Sequence, residues 1–266
     1  MYFNLPGELA GNRVFAAGNL AGKAPGPAVV LLHGAAMDHS IWVYHTRYFM
    51  HIGRPVIALD LPGHGRSAGA PLPTVEAMAA WVLACCDALE LPEIALAGHS
   101  MGALAALAAA GAAPARVSRL ALLGCAFPMS VSDVLLNEAR IDSQTARNMM
   151  MLWGHGGNAQ IGGNPVAGIH IIQFAMRLLE RAVPGVLFND LNACNSYARG
   201  FDDAAQVRAR TTLICGTDDK MTPLPAAHEL AGRLSGARIE RVAGSGHIMM
   251  SEQPEATHRA LVAALA

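Results

Sequence analysis

Short apolar runs alternate along the chain with longer segments of helical spacing. The continuous apolar run at 28–32 predicts a strand buried in a parallel sheet, as does the segment 55–61. Further strands are expected at 93–97, 119–123, 211–215 and 238–242, and an edge strand at 13–17. Helical spacing covers 41–51, 74–89, 101–113, 225–234 and 254–265, with Thr74 placed to cap the second of these helices. This alternation predicts right-handed βαβ units and a mostly parallel sheet flanked by helices.

The alternation of predicted strands and helices is interrupted from about residue 128 to residue 201. No convincing buried strand occurs there, and helical patterns cover 131–137, 144–153, 168–182 and 184–197. We therefore expect an α/β core formed by residues 1–127 and 202–266, with residues 128–201 inserted as a helical cap.

Composition narrows the class of protein. With 266 residues, 53% of them apolar and 15% charged, the chain suits one large α/β domain, or a core with an inserted subdomain. A net charge of −1 and scattered basic residues favour a small-molecule substrate over nucleic acid or a membrane surface. The first eight residues lack an apolar signal segment, and five cysteines show no metal spacing, which favours a cytoplasmic setting. The oligomeric state stays open between monomer and homodimer.

The sequence Gly98-His99-Ser100-Met101-Gly102 lies between a predicted strand and an alanine-rich predicted helix. In that context Gly-x-Ser-x-Gly predicts a nucleophile elbow, a sharp turn that exposes a serine hydroxyl above the sheet. The backbone around such a serine is crowded, so the positions two before and two after it must be small. The following helix also aims its N-terminal N–H groups at the same point.

Four more motifs stand in order along the chain, at His33-Gly34, Leu59–Ser67, Gly216–Pro223 and Gly244–His247. With the elbow, they make the sequence resemble the α/β-hydrolase fold family over nearly everything except the cap. The resemblance implies a serine nucleophile, Ser100, and a histidine base after the last strand, His247, which also fits the chain order Ser, acid, His. Asp219 stands where the family has its acid, and its neighbour Asp218 is the alternative. The position used in some relatives, after Leu123, holds no carboxylate.

Other residues of the site follow from the same resemblance. Backbone N–H groups of Met101 and Ala35 should form the oxyanion hole, with Ala36 as the alternative to Ala35. His33 and His64 belong to family turn motifs, where hydrogen bonds that order the backbone are the expected role. His99 is expected to be a structural neighbour of Ser100.

An apolar slot over Ser100 should be formed by cap and core residues, namely Met37, Trp42, Met150, Trp153, Phe174 and Ile248. Nothing in the sequence calls for a metal or a cofactor. The preferred hypothesis is a serine hydrolase that cleaves the ester of a small apolar substrate through an acyl-enzyme. A carbon–carbon bond hydrolase of aromatic degradation, a lactonase, a perhydrolase and a non-catalytic ligand receptor are the alternatives.

Overall fold

A computed structural model of the chain describes residues 1–6, 13–163, 165, 168 and 170–266. In these residues eight strands form one sheet: β1 Tyr2–Asn4, β2 Arg13–Asn19, β3 Ala28–Leu32, β4 Val56–Leu59, β5 Ile94–His99, β6 Val117–Leu123, β7 Arg210–Gly216 and β8 Arg238–Val242. The strand order is β1-β2-β4-β3-β5-β6-β7-β8. β1 pairs antiparallel with β2, and β2 with β4, whereas every other pair is parallel. The predicted mostly parallel α/β fold is confirmed.

Helices flank the sheet. A 3-10 turn spans His39–Trp42, and the described α-helices are α1 Val43–His51, α2 Val75–Ala88, α3 Met101–Ala112, α4 Asp133–Arg140, α5 Gln144–Gly154, α6 Gly157–Gln160, α7 Ile171–Arg181, α8 Val186–Ser196, α9 Gly200–Gln206, α10 Leu224–Ala231, α11 Met249–Glu252 and α12 Pro254–Leu265. Thr74 caps α2 as predicted, because its hydroxyl accepts from the Ala77 N–H at 3.1 Å. The unpredicted α6, α9 and α11 are too short to show helical periodicity. Part of the expected start of α7 lies outside the described residues.

The strand register aligns the carboxyl ends of the central strands. Leu32 of β3 pairs with Gly98 of β5, His99 with Leu123 of β6, and Gly216 of β7 with Val242 of β8. The loops that follow these strands therefore emerge at one edge of the sheet, where open α/β sheets bind their ligands.

Helices α4 to α8 lie between β6 and β7 in the chain and pack on one another as a group. α9 packs along α3, in the core. The division of the chain at 127/128 and 201/202 stays a prediction, and α9 straddles its second boundary. Among the described residues, no helix combines the length and the apolar character that crossing a bilayer would take.

Candidate active site

Ser100 occupies the sharp turn between β5 and α3. Its backbone lies at φ 55°, in a region that non-glycine residues seldom adopt, and its N–H donates to the Leu123 carbonyl at 2.9 Å. A Cβ on Gly98 would overlap the Gly102 carbonyl, and a Cβ on Gly102 would overlap the carbonyls of Leu32 and His33. The chain can make this turn only because both positions lack a side chain.

His247 and Asp219 form a buried hydrogen-bonded pair at the same edge of the sheet. His247 Nδ1 lies 2.8 Å from Asp219 Oδ2, and the two residues are 3% and 6% exposed. Asp219 Oδ1 accepts from the backbone N–H groups of Met221 and Thr222, at 2.8 and 2.9 Å, and Oδ2 also accepts from the Thr222 hydroxyl at 2.6 Å. Because the carboxylate can only accept, Nδ1 of His247 must carry its proton toward Asp219.

The charge of Asp219 is well stabilised in this setting. Burial by itself would raise the pKa of Asp219, but the charge of His247 and the hydrogen bonds from His247 and Thr222 hold that pKa well below its ordinary value. Asp218 is exposed, and among the described residues its side chain accepts a hydrogen bond only from the Thr217 hydroxyl, at 3.0 Å. Of the two adjacent candidates, the structure brings Asp219 to His247.

The loop of His247 is held from two sides. His99 Nε2–H donates to the His247 carbonyl at 2.9 Å, and a Cβ on Gly124 would come within 3.0 Å of the His247 ring. His247 Nε2 is buried and has no hydrogen-bond partner among the described residues. His247 and Ser100 line the same cavity, so the unpaired nitrogen belongs to the site that the serine hydroxyl faces.

Two backbone N–H groups near Ser100 have no hydrogen-bond acceptor among the described residues. Met101 is the first residue of α3, where an N–H has no partner within the helix, and the Ala35 N–H has no acceptor among the described residues. The Ala36 N–H, in contrast, donates to Asp190 Oδ2 at 2.8 Å. The arrangement therefore favours Ala35 over Ala36 as the donor that faces the site.

The neighbouring histidines order the backbone of the site. The Leu61 N–H donates to His33 Nε2 at 3.1 Å, so the proton of this ring is on Nδ1, 2.9 Å from the Gly34 carbonyl. Burial lowers the pKa of His33 to about 4 and that of His99 to about 3, so both rings are neutral at pH 7. His64 donates to the Pro62 carbonyl and contacts Asp190, a partner that sequence reasoning missed.

A cavity of about 220 Å³ opens over Ser100. Four of the six predicted pocket residues line it: Met37, Met150, Trp153 and Ile248. Other apolar lining residues come mainly from the cap: Met129, Val131, Leu135, Met151, Leu179, Leu191, Cys194 and Met221. Apart from His99 and His247, the only ionisable side chains among the described lining residues are Cys194 and Lys220. The walls thus suit a small, largely apolar ligand.

Two predicted pocket residues lie elsewhere, which corrects their placement. Trp42 ends the 3-10 turn and is fully buried, with its ring 5.5 Å from that of His45. Phe174 lies on α7, which reaches the cavity through Leu179. Five residues correspond to about 140° of helix rotation, so the two side chains project from different faces of α7.

Among the described residues, one group of side chains is close enough to share a cation: Asp38, His39 and Asp60. Asp60 already accepts from the His39 and Arg66 N–H groups and from His39 Nδ1, and Asp38 accepts from the backbone N–H and hydroxyl of Ser40. These bonds give the group a role in ordering the loop, and it is separate from the cavity over Ser100.

The fold and the placement of the site define the class of protein, an α/β hydrolase. The model of the alpha/beta hydrolase family matches residues 29–260, and the chain belongs to that family. A similar protein is a pimeloyl-[acyl-carrier protein] methyl ester esterase of Aromatoleum aromaticum. The two sequences are 31% identical over 254 residues, which cover 86% of this chain and 94% of the esterase. It is 24% identical over 260 residues to the 2-hydroxy-6-oxononadienedioate/2-hydroxy-6-oxononatrienedioate hydrolase of Escherichia coli, covering 90% of this chain and 86% of that enzyme.

Solved structures show the same fold. An enol-lactonase from Burkholderia xenovorans superposes with a TM-score of 0.85 at 22% identity, over 100% of this chain and 99% of that one. An esterase from Exiguobacterium antarcticum gives a TM-score of 0.84 at 20% identity, over 99% and 98% of the two chains.

Proposed function

We propose that the protein is a serine hydrolase that cleaves the carboxylic ester of a small, largely apolar substrate. The observation that carries the proposal is the hydrogen bond from His247 Nδ1 to buried Asp219, on the wall of the cavity that Ser100 faces. A serine hydroxyl is a weak nucleophile at neutral pH, and a histidine oriented by a carboxylate is the base that activates it.

In the proposed reaction, Ser100 Oγ attacks the ester carbonyl carbon while His247 Nε2 takes the hydroxyl proton. The carbonyl oxygen becomes an oxyanion held by the N–H groups of Ala35 and Met101. The C–O bond to the alcohol then breaks, and His247 returns the proton to the leaving oxygen. Water, deprotonated by the same nitrogen, attacks the acyl-enzyme, and Ser100 recovers its proton as the carboxylic acid leaves.

In the free protein, the hydrogen bond to Asp219 already orients His247 for these reaction steps. With Nδ1 of His247 engaged by Asp219, Nε2 is the ring nitrogen without a partner among the described residues, and we assign it the role of base. The imidazolium formed during attack is stabilised by the negative charge of Asp219. Contacts between nucleophile and base commonly tighten only when substrate is bound, and the unpartnered Nε2 leaves room for that contact.

The ester assignment is supported by the similarity to a methyl ester esterase and by the cavity. A volume of about 220 Å³ with mainly apolar walls suits a short acyl or alcohol group. Similarity to the dienedioate hydrolase supports a second candidate, the hydrolysis of a carbon–carbon bond next to a ketone. The same serine, base and oxyanion donors would serve that reaction.

The proposal is tested by labelling the wild type and Ser100→Ala with a fluorophosphonate probe, which reacts with activated serines. We expect labelling of the wild type only, and an unlabelled wild type would refute the nucleophile. A panel of nitrophenyl esters of graded chain length, assayed beside a dienoic ring-cleavage product, then separates the two candidates. Faster turnover of the short esters supports ester hydrolysis, and preference for the dienoic compound assigns the carbon–carbon reaction.

A further inference from the structure

A buried carboxylate of the cap contacts the loop that carries the Ala35 N–H. Asp190, on α8, is fully buried, and its Oδ2 accepts from the Ala36 N–H at 2.8 Å. The same oxygen lies 2.8 Å from His64 Nε2, while Oδ1 accepts from the Asn189 side-chain amide at 3.2 Å. Asp190 therefore joins the cap to two loops of the core.

Both ring nitrogens of His64 make hydrogen bonds. His64 Nδ1 faces the Pro62 carbonyl at 3.0 Å and Nε2 faces Asp190 at 2.8 Å. The Pro62 carbonyl can only accept, so Nδ1 carries a proton, and a second proton lies between Nε2 and Asp190 Oδ2. Burial alone would lower the pKa of His64, but the charge and hydrogen bond of Asp190 raise it above its ordinary value. Removing either partner leaves a buried polar group of the other without its hydrogen-bond partner.

The peptide that Asp190 holds lies next to the Ala35 N–H. Ala36 adopts φ 53°, which is unfavourable for a residue with a side chain, and the Met37 N–H donates to the Gly34 carbonyl at 3.2 Å to close the turn. Because the Ala36 N–H donates to Asp190, this hydrogen bond restricts the plane of the 35–36 peptide. The bond from the Ala36 N–H to Asp190 and the turn from Gly34 to Met37 together restrict the backbone on both sides of Ala35, which lines the cavity with Ser100.

We propose that Asp190 and His64 are positioning residues, which make the placement of the Ala35 oxyanion donor depend on the docked cap. This inference rests on the proposed function, because it concerns the transition state of that reaction. Asp190 acts through its hydrogen bond to Ala36, and His64 acts by holding the Asp190 side chain in place.

Asp190→Asn is the sharpest variant, because a single oxygen of Asp190 serves both Ala36 and His64. An amide can keep that oxygen only by turning its NH₂ toward the amide of Asn189, and in the other orientation it presents NH₂ to the Ala36 N–H. His64→Gln is the second variant, and it leaves the bond between Asp190 and Ala36 in place. Tyr197→Phe is the matched control. Tyr197 directly follows α8, the helix of Asp190, and its hydroxyl makes a buried hydrogen bond to Asp203 that the variant deletes.

The experiment compares kcat and KM for a short nitrophenyl ester with the affinity for a trifluoromethyl ketone, which forms an oxyanion adduct with an activated serine. A misplaced donor should lower kcat, and the affinity for the ketone, about 10- to 100-fold in Asp190→Asn, and by less in His64→Gln. KM should change less than threefold. Tyr197→Phe should lower the urea midpoint of unfolding and leave kcat within about twofold.

The outcomes separate the inference from the proposed function. If the wild type hydrolyses esters and both site variants keep kcat and ketone affinity within twofold, the positioning role is wrong. Equal losses of kcat in Tyr197→Phe would also overturn it, because any weakening of the cap would then have the same effect. A wild type that neither hydrolyses esters nor binds the ketone would overturn the proposed function and this inference together. Should Asp190→Asn not fold, His64→Gln decides by the same criteria.

Discussion

Replacing Asp219 by asparagine tests whether the carboxylate that contacts His247 orients the base. In the native site Asp219 accepts four hydrogen bonds, two at each oxygen. An asparagine can keep its oxygen toward the backbone N–H groups of Met221 and Thr222. Its NH₂ group then faces His247 Nδ1, which must accept instead of donate.

This exchange moves the ring proton of His247 to Nε2, the nitrogen that should receive the proton of Ser100. The imidazolium formed during attack also loses its counter-charge. An amide in place of a triad carboxylate costs about 10⁴-fold in kcat when the geometry is otherwise kept. That factor corresponds to about 5 kcal/mol of transition-state stabilisation.

The assay is the steady-state kcat of wild type, Asp219→Asn and Asp218→Asn on one nitrophenyl ester. Asp218 is the matched control, because it is adjacent in sequence and carries the same charge, but it is exposed and does not contact His247. We expect Asp218→Asn to keep kcat within about twofold of the wild type. A loss of less than tenfold in Asp219→Asn, or a larger loss in Asp218→Asn, would refute the assignment of the acid.

Three further predictions concern the supports of the site. Gly98→Ala should lower the free energy of unfolding in urea by about 3 kcal/mol, because the added Cβ would overlap the Gly102 backbone. Gly157→Ala is the control: the space around Gly157 is open, so this variant should change the free energy of unfolding by less than about 0.5 kcal/mol. Thr222→Val removes one hydrogen bond to the Asp219 carboxylate and should cost about 2 kcal/mol of stability, with kcat about tenfold lower; an unchanged urea midpoint would contradict this. Burial lowers the pKa of His45 to about 3, so protonation below its unfolded pKa of about 6.5 favours the unfolded chain. Between about pH 7.5 and 5.5 this group should remove about 1.4 kcal/mol of stability, and His45→Phe should lose that much less over the same range.

The sequence predicts the fold well because each signal involved is local. A buried strand such as β3 is a continuous apolar run, and the elbow is recognisable because its two glycines meet a steric demand within five residues. Asp218 and Asp219 could not be separated by such signals alone. Adjacent residues of a turn project differently, and only the three-dimensional path of the turn decides which of them meets His247, 28 residues further on.

The pocket could be predicted only in part, because its walls depend on how helices rotate and dock. Trp42 and Phe174 are large and apolar, as pocket residues often are, but the same property suits the packing positions in which the structure places them. His64 and Asp190 are 126 residues apart and carry no mutual signal. Sequence reasoning could assign His64 a role in ordering the backbone, and its partner became visible only with the cap in place.

Cap and core meet through buried carboxylates on both sides of the site, which bears on how the cap can vary. Glu252 Oε2 accepts from the N–H groups of Gly156, at the end of the first cap helices, and Gly246, next to His247, at 2.8 and 3.1 Å. Asp190 makes the corresponding contact to the loop of Ala35 and Ala36. Each carboxylate satisfies backbone donors that would otherwise be buried without partners. The two carboxylates are therefore constrained by the backbone of the loops that carry His247 and Ala35, whereas the apolar cap residues that line the cavity make no such hydrogen bonds.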